Sequence, residues 1–348
     1  MTIEVRVGGA ILSGFLRGAV QLSMESPANS FDVEYLAHPS EPDARLMFAG
    51  DAVDVLLDGE NILSGYVDTT DEEDSPDEVR LRASGRSRTA DLVDCSASYE
   101  GFANARVSEI AQRLAAPHDV LVRVEGDEGE RFPHYRVQPG DTVMDAITRA
   151  AQKRGLFPYA VGGDLVLGRA GAVETETKLV RGQLPLIRTA RSDSWYSRYS
   201  EYVFRGQVKA SEAAWGKRAS QVKHRVTDEA ITRYRPLLLH AEAGSAADLE
   251  ARATLERNQR AGRGERIQAS VFGYQTAEGY AWRPNMQVNV QNVALGIDAW
   301  LLVVAVRYRF GAEEPREVEL ELARPESFEL KRYPPLKRGR KRRATSEF

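Results

Sequence analysis

The sequence holds a single cysteine, Cys95, among 348 residues. No intrachain disulfide can form, which excludes the stapled framework of small secreted domains and points to a reducing compartment. Histidine is scarce as well. His38, His118, His134, His224 and His240 are scattered, and none stands at ligand spacing from another. Long apolar runs are missing: the longest, Ala299–Val306, falls far short of the roughly 20 residues that span a bilayer. Residues 1–7 alternate through Ile3, Val5 and Val7 like a strand, not like a charged segment followed by an apolar one, so no signal peptide is expected. Positive charge is not in excess. With 47 basic and 51 acidic residues the net charge is −4, which argues against a general nucleic-acid binder.

Catalytic signatures are absent too. The chain has no His-Glu-x-x-His, no Cys-x-x-Cys, no Gly-x-Ser-x-Gly and no Gly-x-x-x-x-Gly-Lys-Ser/Thr. Gly262-Arg263-Gly264 is not followed by the third glycine of a dinucleotide loop. Cys95 beside His118 or His134 would make a nucleophile pair, but a lone cysteine in Asp94-Cys95-Ser96 is expected to be a small buried residue. Carboxylates are too numerous to single out a glycosidase-like pair. No catalytic, cofactor-binding or metal-binding residue is therefore assigned, no cofactor is implied, and the chain is not expected to be an enzyme.

What is present is a pattern that occurs twice. The first copy spans about Gly50–Arg82. It reads Asp51-Ala52-Val53-Asp54-Val55-Leu56-Leu57, then Asn61-Ile62-Leu63-Ser64-Gly65-Tyr66-Val67, then Glu78-Val79-Arg80-Leu81-Arg82. The second spans about Asn285–Leu322. It reads Gln287-Val288-Asn289-Val290, then Ala299–Val306, then Glu317-Val318-Glu319-Leu320-Glu321-Leu322. Alternation with period 2 marks strands with one buried face, and three in a row make an antiparallel meander. In the first copy a carboxylate-rich stretch, Asp68–Glu78, lies between the second and third strands. It lacks the glycine and spaced ligands of a calcium loop, so a solvated hairpin loop is expected.

The rest of the chain falls into blocks. Residues 1–95 read as the first β domain. Residues 96–185 read as an α/β insertion. There Val107, Ile110, Ala111 and Leu114 line one face of a helix closed by Pro117, and Leu121–Val124 is a strand. A second helix follows Asp141 or Thr142 as cap, presents Val143, Ile147 and Ala150 or Ala151, and ends at Gly155. A hairpin over Tyr159–Leu167 turns at Gly162-Gly163. Residues 186–330 return to strands, with one helix opening at Ser245–Asp248, running to about Ala261 and closed by Gly262. Trp195, Tyr196, Tyr199 and Tyr202 could stack sugars or bases, but core and interface packing is expected of them. Residues 331–348 carry Lys337-Arg338-Gly339-Arg340-Lys341-Arg342-Arg343 with nothing apolar to bury, so a disordered basic tail is expected.

Two resemblances follow from these segments. Tyr135-Arg136-Val137-Gln138-Pro139-Gly140-Asp141-Thr142 is similar to the opening of a LysM peptidoglycan-binding module, a strand, a tight turn and a capped helix, although Gly155–Tyr159 departs from it. Taken together, the segments resemble the baseplate hub protein of contractile-tailed phages, the Mu-like tail hub family. The carriers are Asp91–Ser96, Val137–Thr142 with Arg154-Gly155-Leu156, Arg198–Tyr202 with Gly206-Gln207, Tyr280–Asn285, Val288–Val290 and Leu301–Val306. That resemblance implies a mainly β fold of two tube-like antiparallel β-barrel domains plus a small α/β domain. It implies a homotrimer of pseudo-six-fold symmetry in the virion tail baseplate, assembled in the host cytoplasm. It implies contacts with a central spike protein, a tail tube or distal tube protein and other baseplate proteins, with the tape-measure protein as a further candidate and no membrane anchor. A peptidoglycan-binding or peptidoglycan-cleaving tail protein is the alternative, resting on the LysM-like segment. Nucleic-acid binding is a third reading, resting on the basic tail.

Overall fold

The computed structural model describes residues 2–37, 46–76, 78–171, 173–206, 222–240 and 246–329. The basic tail expected at 331–348 lies outside the described residues, as do His38 and the Ser245 expected to cap a helix.

Thirteen of the strands form one large sheet. Its N-terminal strands are β1 (Ile3–Val7), β2 (Ala10–Leu12), β3 (Arg17–Ser23), β4 (Ser30–Ala37), β5 (Ala52–Leu57), β6 (Glu60–Asp74) and β7 (Val79–Ser87). Its C-terminal strands are β13 (Val173–Val180), β14 (Leu186–Asp193), β18 (Glu265–Phe272), β19 (Met286–Asn292), β20 (Ile297–Phe310) and β21 (Glu317–Ala323). Both meanders read from the alternation are present, as β5-β6-β7 and β19-β20-β21.

The likeness of the halves goes beyond the meanders. In the first half the spatial order is β3-β4-β7-β6-β5-β1, and in the second it is β14-β18-β21-β20-β19-β13. Four successive antiparallel pairings match, and only the outermost differs, since β1 lies antiparallel to β5 while β13 lies parallel to β19. Each long strand is also bulged at the same place: the β6–β7 register shifts between Val67 and Thr69, and the β20–β21 register between Val303 and Ala305. The residue that leads each loop back into the meander has positive φ, Gly50 at 94° and Asn285 at 72°. Each donates its backbone N–H to the bulge valine, Gly50 to Val67 O and Asn285 to Val303 O, both at 2.8 Å. A shared bulge, turn and strand order are the marks of a duplicated unit, because each is a local backbone solution that chance alternation does not reproduce.

The halves are fused. Along one edge, β20 pairs with β19 through Ile297–Leu302 and with β3 through Ala305–Phe310. One apolar cluster runs through both, from Val5, Val20 and Phe31 to Val290, Tyr308 and Leu320. Burial of this cluster, at roughly 25 cal/mol per Å² of apolar surface, is the main favourable term holding the halves together.

Between the halves lies the small α/β unit. It contains α1 (Ala90–Asp94), β8 (Gly101–Ala105), α2 (Val107–Ala115), β9 (Val122–Val124), β10 (Phe132–Arg136), α3 (Val143–Gln152), β11 (Phe157–Val161) and β12 (Asp164–Gly168). Its own core joins Ile110 and Leu114 of α2 to Ile147 and Ala150 of α3. Sequence grouped β13 with this unit, whereas its hydrogen bonds go to β19 in the large sheet. Parallel pairing is non-local, so nothing near β13 in sequence announces it.

The second half carries an addition. Where β3 turns into β4 within six residues, the chain between β14 and β18 forms a separate three-stranded sheet, β15 (Glu201–Gly206), β16 (Val222–Thr227) and β17 (Pro236–His240), with helix α4 (Ala246–Gly264). The expectation that Gly262 closes this helix is corrected. The helix passes through it to Gly264, and both glycines sit where the backbone comes close to a neighbour. A Cβ on Gly262 would stand 2.2 Å from Ser327 Oγ, and one on Gly264 would stand 2.5 Å from Ser194 O.

Candidate assembly interface

The chemistry-bearing residues of the sequence are dispersed. His118 follows α2, His134 lies on β10, and His224 and His240 lie on β16 and β17. Among the described residues no group of three His, Cys, Asp or Glu side chains could hold a metal. Cys95 is exposed at the end of α1, which corrects the expectation of a buried residue. Helix α1 is only five residues long, so its final turn looks onto solvent instead of a core. No helix among the described residues is long and apolar enough to cross a membrane.

The LysM-like segment is occupied by its own unit. Thr142 caps α3: its Oγ1 accepts from Asp145 N at 3.1 Å, and Thr142 N donates in turn to the Asp145 carboxylate at 3.1 Å. Of the two caps the sequence allowed, it is therefore Thr142 that acts. Asp141 instead takes two bonds from the Arg149 guanidinium, at 2.9 and 2.5 Å, and one from Gln138 N. The Arg149 bonds, and behind them the Gln138 amide, hold the Asp141 carboxyl below the usual carboxylate range despite its partial burial. Tyr135 is buried, and its hydroxyl donates to Ala146 O at 2.5 Å. Tyr135, Asp141 and Thr142 are thus engaged with α3, while Arg136, Gln138, Pro139 and Gly140 of the same segment are exposed.

The aromatics expected to pack do so in part. Tyr202 is fully buried, its ring edge-on to Tyr199, and burial pushes its hydroxyl up to about 12. Tyr196 by contrast is 89% exposed. Sequence reasoning missed the strongest polar contact here. Arg198 is 2% exposed and grips Asp228 through Nε at 3.0 Å and Nη2 at 2.8 Å. Asp228 also accepts from Ala230 N at 3.1 Å. The pair ties the loop before β15 to the loop after β16, beneath the C-terminal end of α4.

What remains available for function is the great sheet: its polar face and its ends. On the face turned from the apolar cluster, charges alternate in sign. Arg309 pairs with Glu319 at 3.0 Å, Arg266 with Glu321 at 3.1 Å, and Arg17 with Glu313 at 2.6 Å. Exposed pairs of this kind add little stability, and the exposed Leu36, Phe272 and Trp300 stand among them on strands β4, β18 and β20.

The carboxylate-rich stretch is not a loop, as expected, but strand. β6 continues to Asp74, with Asp71 opposite Arg82 and Glu73 opposite Arg80 on β7. The ladder with β7 holds these carboxylates in a strand despite their poor strand propensity, while Arg80 and Arg82 form their ion pairs with Glu34, Glu78 and Asp32. The turn itself is short, with Ser75 Oγ donating to Glu78 O at 2.8 Å. β6 therefore projects well beyond β5, which pairs only as far as Tyr66.

Comparison with known proteins names the class of this duplicated β framework. Residues 2–87 match the family described as "Mu phage baseplate assembly protein GpP-like, N-terminal", residues 89–169 "Baseplate hub protein gp44-like, second domain", and residues 245–331 "Mu phage baseplate assembly protein GpP, fourth domain". The chain is 30% identical over 339 residues to "Baseplate hub protein gp44" of Escherichia phage Mu, covering 94% of this chain and 89% of that protein. The fold matches the prophage MuSo2 43 kDa tail protein from Shewanella oneidensis with a TM-score of 0.83 at 26% identity, over 94% of this chain and 99% of the other. It matches the tail protein from Neisseria meningitidis MC58 with a TM-score of 0.80 at 25% identity, over 94% and 98%. The chain belongs to the Mu-type baseplate hub protein family and is a structural component of a phage virion tail.

Proposed function

We propose that the chain is the subunit of a homotrimeric hub that adapts a six-fold tail tube to a three-fold central spike, and that it acts structurally and not as an enzyme. The observation that carries this is the duplication: one strand order used twice in one chain, with the two copies joined by hydrogen bonds between β20 and β3. Three such chains present six similar faces, so a three-fold object can continue a six-fold tube. Spike, tube and other baseplate proteins are its partners, with the tape-measure protein passing through the ring. The domain division that fits the strand pairing is two β units flanking an α/β unit, with β13 belonging to the second. Support for a structural role is the family membership. The peptidoglycan reading gains no support from the LysM-like segment, whose Tyr135, Asp141 and Thr142 are engaged inside their own unit.

Native mass measurement and electron-microscopy class averages of the purified protein test this. The expected result is three times the 38.6 kDa chain mass, in a ring whose low-resolution averages show six lobes. A protein that stays monomeric, alone and in the presence of its spike and tube, refutes the adaptor role.

A further inference from the structure

The great sheet is not the only surface left open, and the small sheet beside α4 breaks a rule that the great one keeps. On the polar face of the great sheet cross-strand arginines meet carboxylates, as Arg309 meets Glu319 and Arg266 meets Glu321. The small sheet turns one face to the helix, where Tyr202, Phe204 and Leu239 pack with Leu249 of α4. Side chains alternate along a strand, so their neighbours stand on the other face. There Arg205 of β15, the central strand, lies opposite both Lys223 of β16 and His240 of β17. All three are exposed. Basic side chains thus run side by side across the whole sheet, about 4.8 Å from strand to strand. Like charges directly opposite each other destabilise a sheet. Arg225, two positions along, is held by Glu201 at 2.5 Å, whereas among the described residues neither Arg205 nor Lys223 has an ion pair.

The next row along the strands is aliphatic at its centre and at one edge. Val203 lies between Arg225 and Leu238, and Leu238 is exposed. The face therefore offers a line of basic groups and, about 7 Å away, an exposed leucine. We propose that it is a docking surface for an acidic, amphipathic polypeptide segment of another tail component. The carboxylates of that segment meet Arg205 and Lys223, and its apolar side chains cover Val203 and Leu238. The surface lies outside the strands that the two halves share, so the proposal stands independently of the ring reading.

Charge and polarity together select this occupant. Side chains four apart on one side of a helix are about 5–6 Å from each other, close to the spacing of the basic row, so successive carboxylates of a helix can meet successive strands. Leucines beside those carboxylates then fall on the aliphatic row. A nucleic-acid strand fits less well. Proteins that bind single strands stack the bases on aromatic side chains. No tryptophan, tyrosine or phenylalanine occupies an outward position on the three strands, and Glu201 on the same face opposes a phosphate backbone.

The test is fluorescence anisotropy of the full chain with a labelled helical peptide of about 18 residues, with Glu at every fourth position and Leu one position before each. This peptide should bind, and its affinity should fall as salt is added. The same peptide with Gln for Glu should bind about tenfold more weakly. Arg205→Glu combined with Lys223→Glu should weaken the Glu peptide by about tenfold or more and should take up instead the peptide with Lys for Glu. A misfolded variant cannot give that exchange of preference. Leu238→Ala should weaken the Glu peptide several-fold and leave its salt dependence unchanged. A Glu peptide that binds no better than the Gln peptide, or that binds the charge-reversed variant equally well, overturns the proposal. Single-stranded DNA of similar length that binds more tightly than the peptide, and loses that binding in the charge-reversed variant, overturns it in favour of nucleic acid. Native mass of the same samples keeps the two readings apart. A trimer that ignores the peptide overturns the docking surface alone, and a monomer that binds it supports the surface and refutes the ring.

Discussion

Removing one member of the Arg198–Asp228 pair strands a charge that has almost no access to water. Asp228→Asn keeps the shape and the bond from Ala230 N but leaves the guanidinium of Arg198, 2% exposed, without a counter-charge. Arg198→Met fills a similar volume and leaves the carboxylate with the Ala230 amide as a donor. Breaking a buried pair from one side costs about 3–5 kcal/mol. The double variant leaves neither charge and should cost little more than either single one, a coupling of about 3 kcal/mol. The loss should be local, since the pair joins loops of the three-stranded sheet and not strands of the great one. Global unfolding is therefore a poor probe. Amide hydrogen exchange of Tyr202–Arg205 reads the local opening: each single variant should speed it by about two orders of magnitude, with the amides of Val303–Tyr308 unmoved. If Asp228→Asn speeds exchange less than about fivefold, or if the single effects add in the double variant, the pair is not the tie described here.

Further perturbations address the great sheet and the α/β unit. Tyr308→Phe removes the hydroxyl that donates to Trp282 O, and should cost about 1–3 kcal/mol in denaturant unfolding by leaving that carbonyl buried without a donor. A Cβ on Gly65 would stand 1.9 Å from the backbone oxygen of Arg86, while one on Gly18 would meet the Phe310 ring at 2.4 Å. A backbone cannot step aside as a ring can, so Gly65→Ala should lower the melting temperature more than Gly18→Ala. The Asp141 carboxyl is held below its ordinary value chiefly by Arg149, so its contribution is full above about pH 4 and is lost as pH falls through its depressed folded value. Asp141→Asn should flatten the acid limb of the α/β unit's stability curve below about pH 4, and an unchanged limb would show that Arg149 contributes nothing there.

Elements with local causes were readable from sequence. The β5-β6-β7 and β19-β20-β21 meanders announce themselves by alternation, and α2 by Val107, Ile110, Ala111 and Leu114, all of them buried. The capped start of α3 was legible as Asp141 or Thr142, of which Thr142 acts, while the return bond with Asp145 was not read. What stayed hidden was decided at a distance. The strand character of Asp71–Asp74 comes from backbone pairing with Val79–Arg82 across the hairpin. The need for glycine at position 262 comes from Ser327, 65 positions away. The β20–β3 joint connects positions nearly 300 residues apart, and neither strand carries a local sign of its partner. The Arg198–Asp228 tie was equally silent, because a buried arginine looks in sequence like a surface one.

The two halves diverge most at one turn. Between β3 and β4 the chain needs six residues. At the matching place between β14 and β18 it builds a sheet, a helix and the Arg198–Asp228 tie. On the proposed ring this difference recurs at every second position. The strand framework preserves an approximate six-fold repeat, and the elaborated turn reduces it to three. The reduction in symmetry is thus confined to material outside the shared strands, so that half of the ring's six sites can change without disturbing the wall that they have in common.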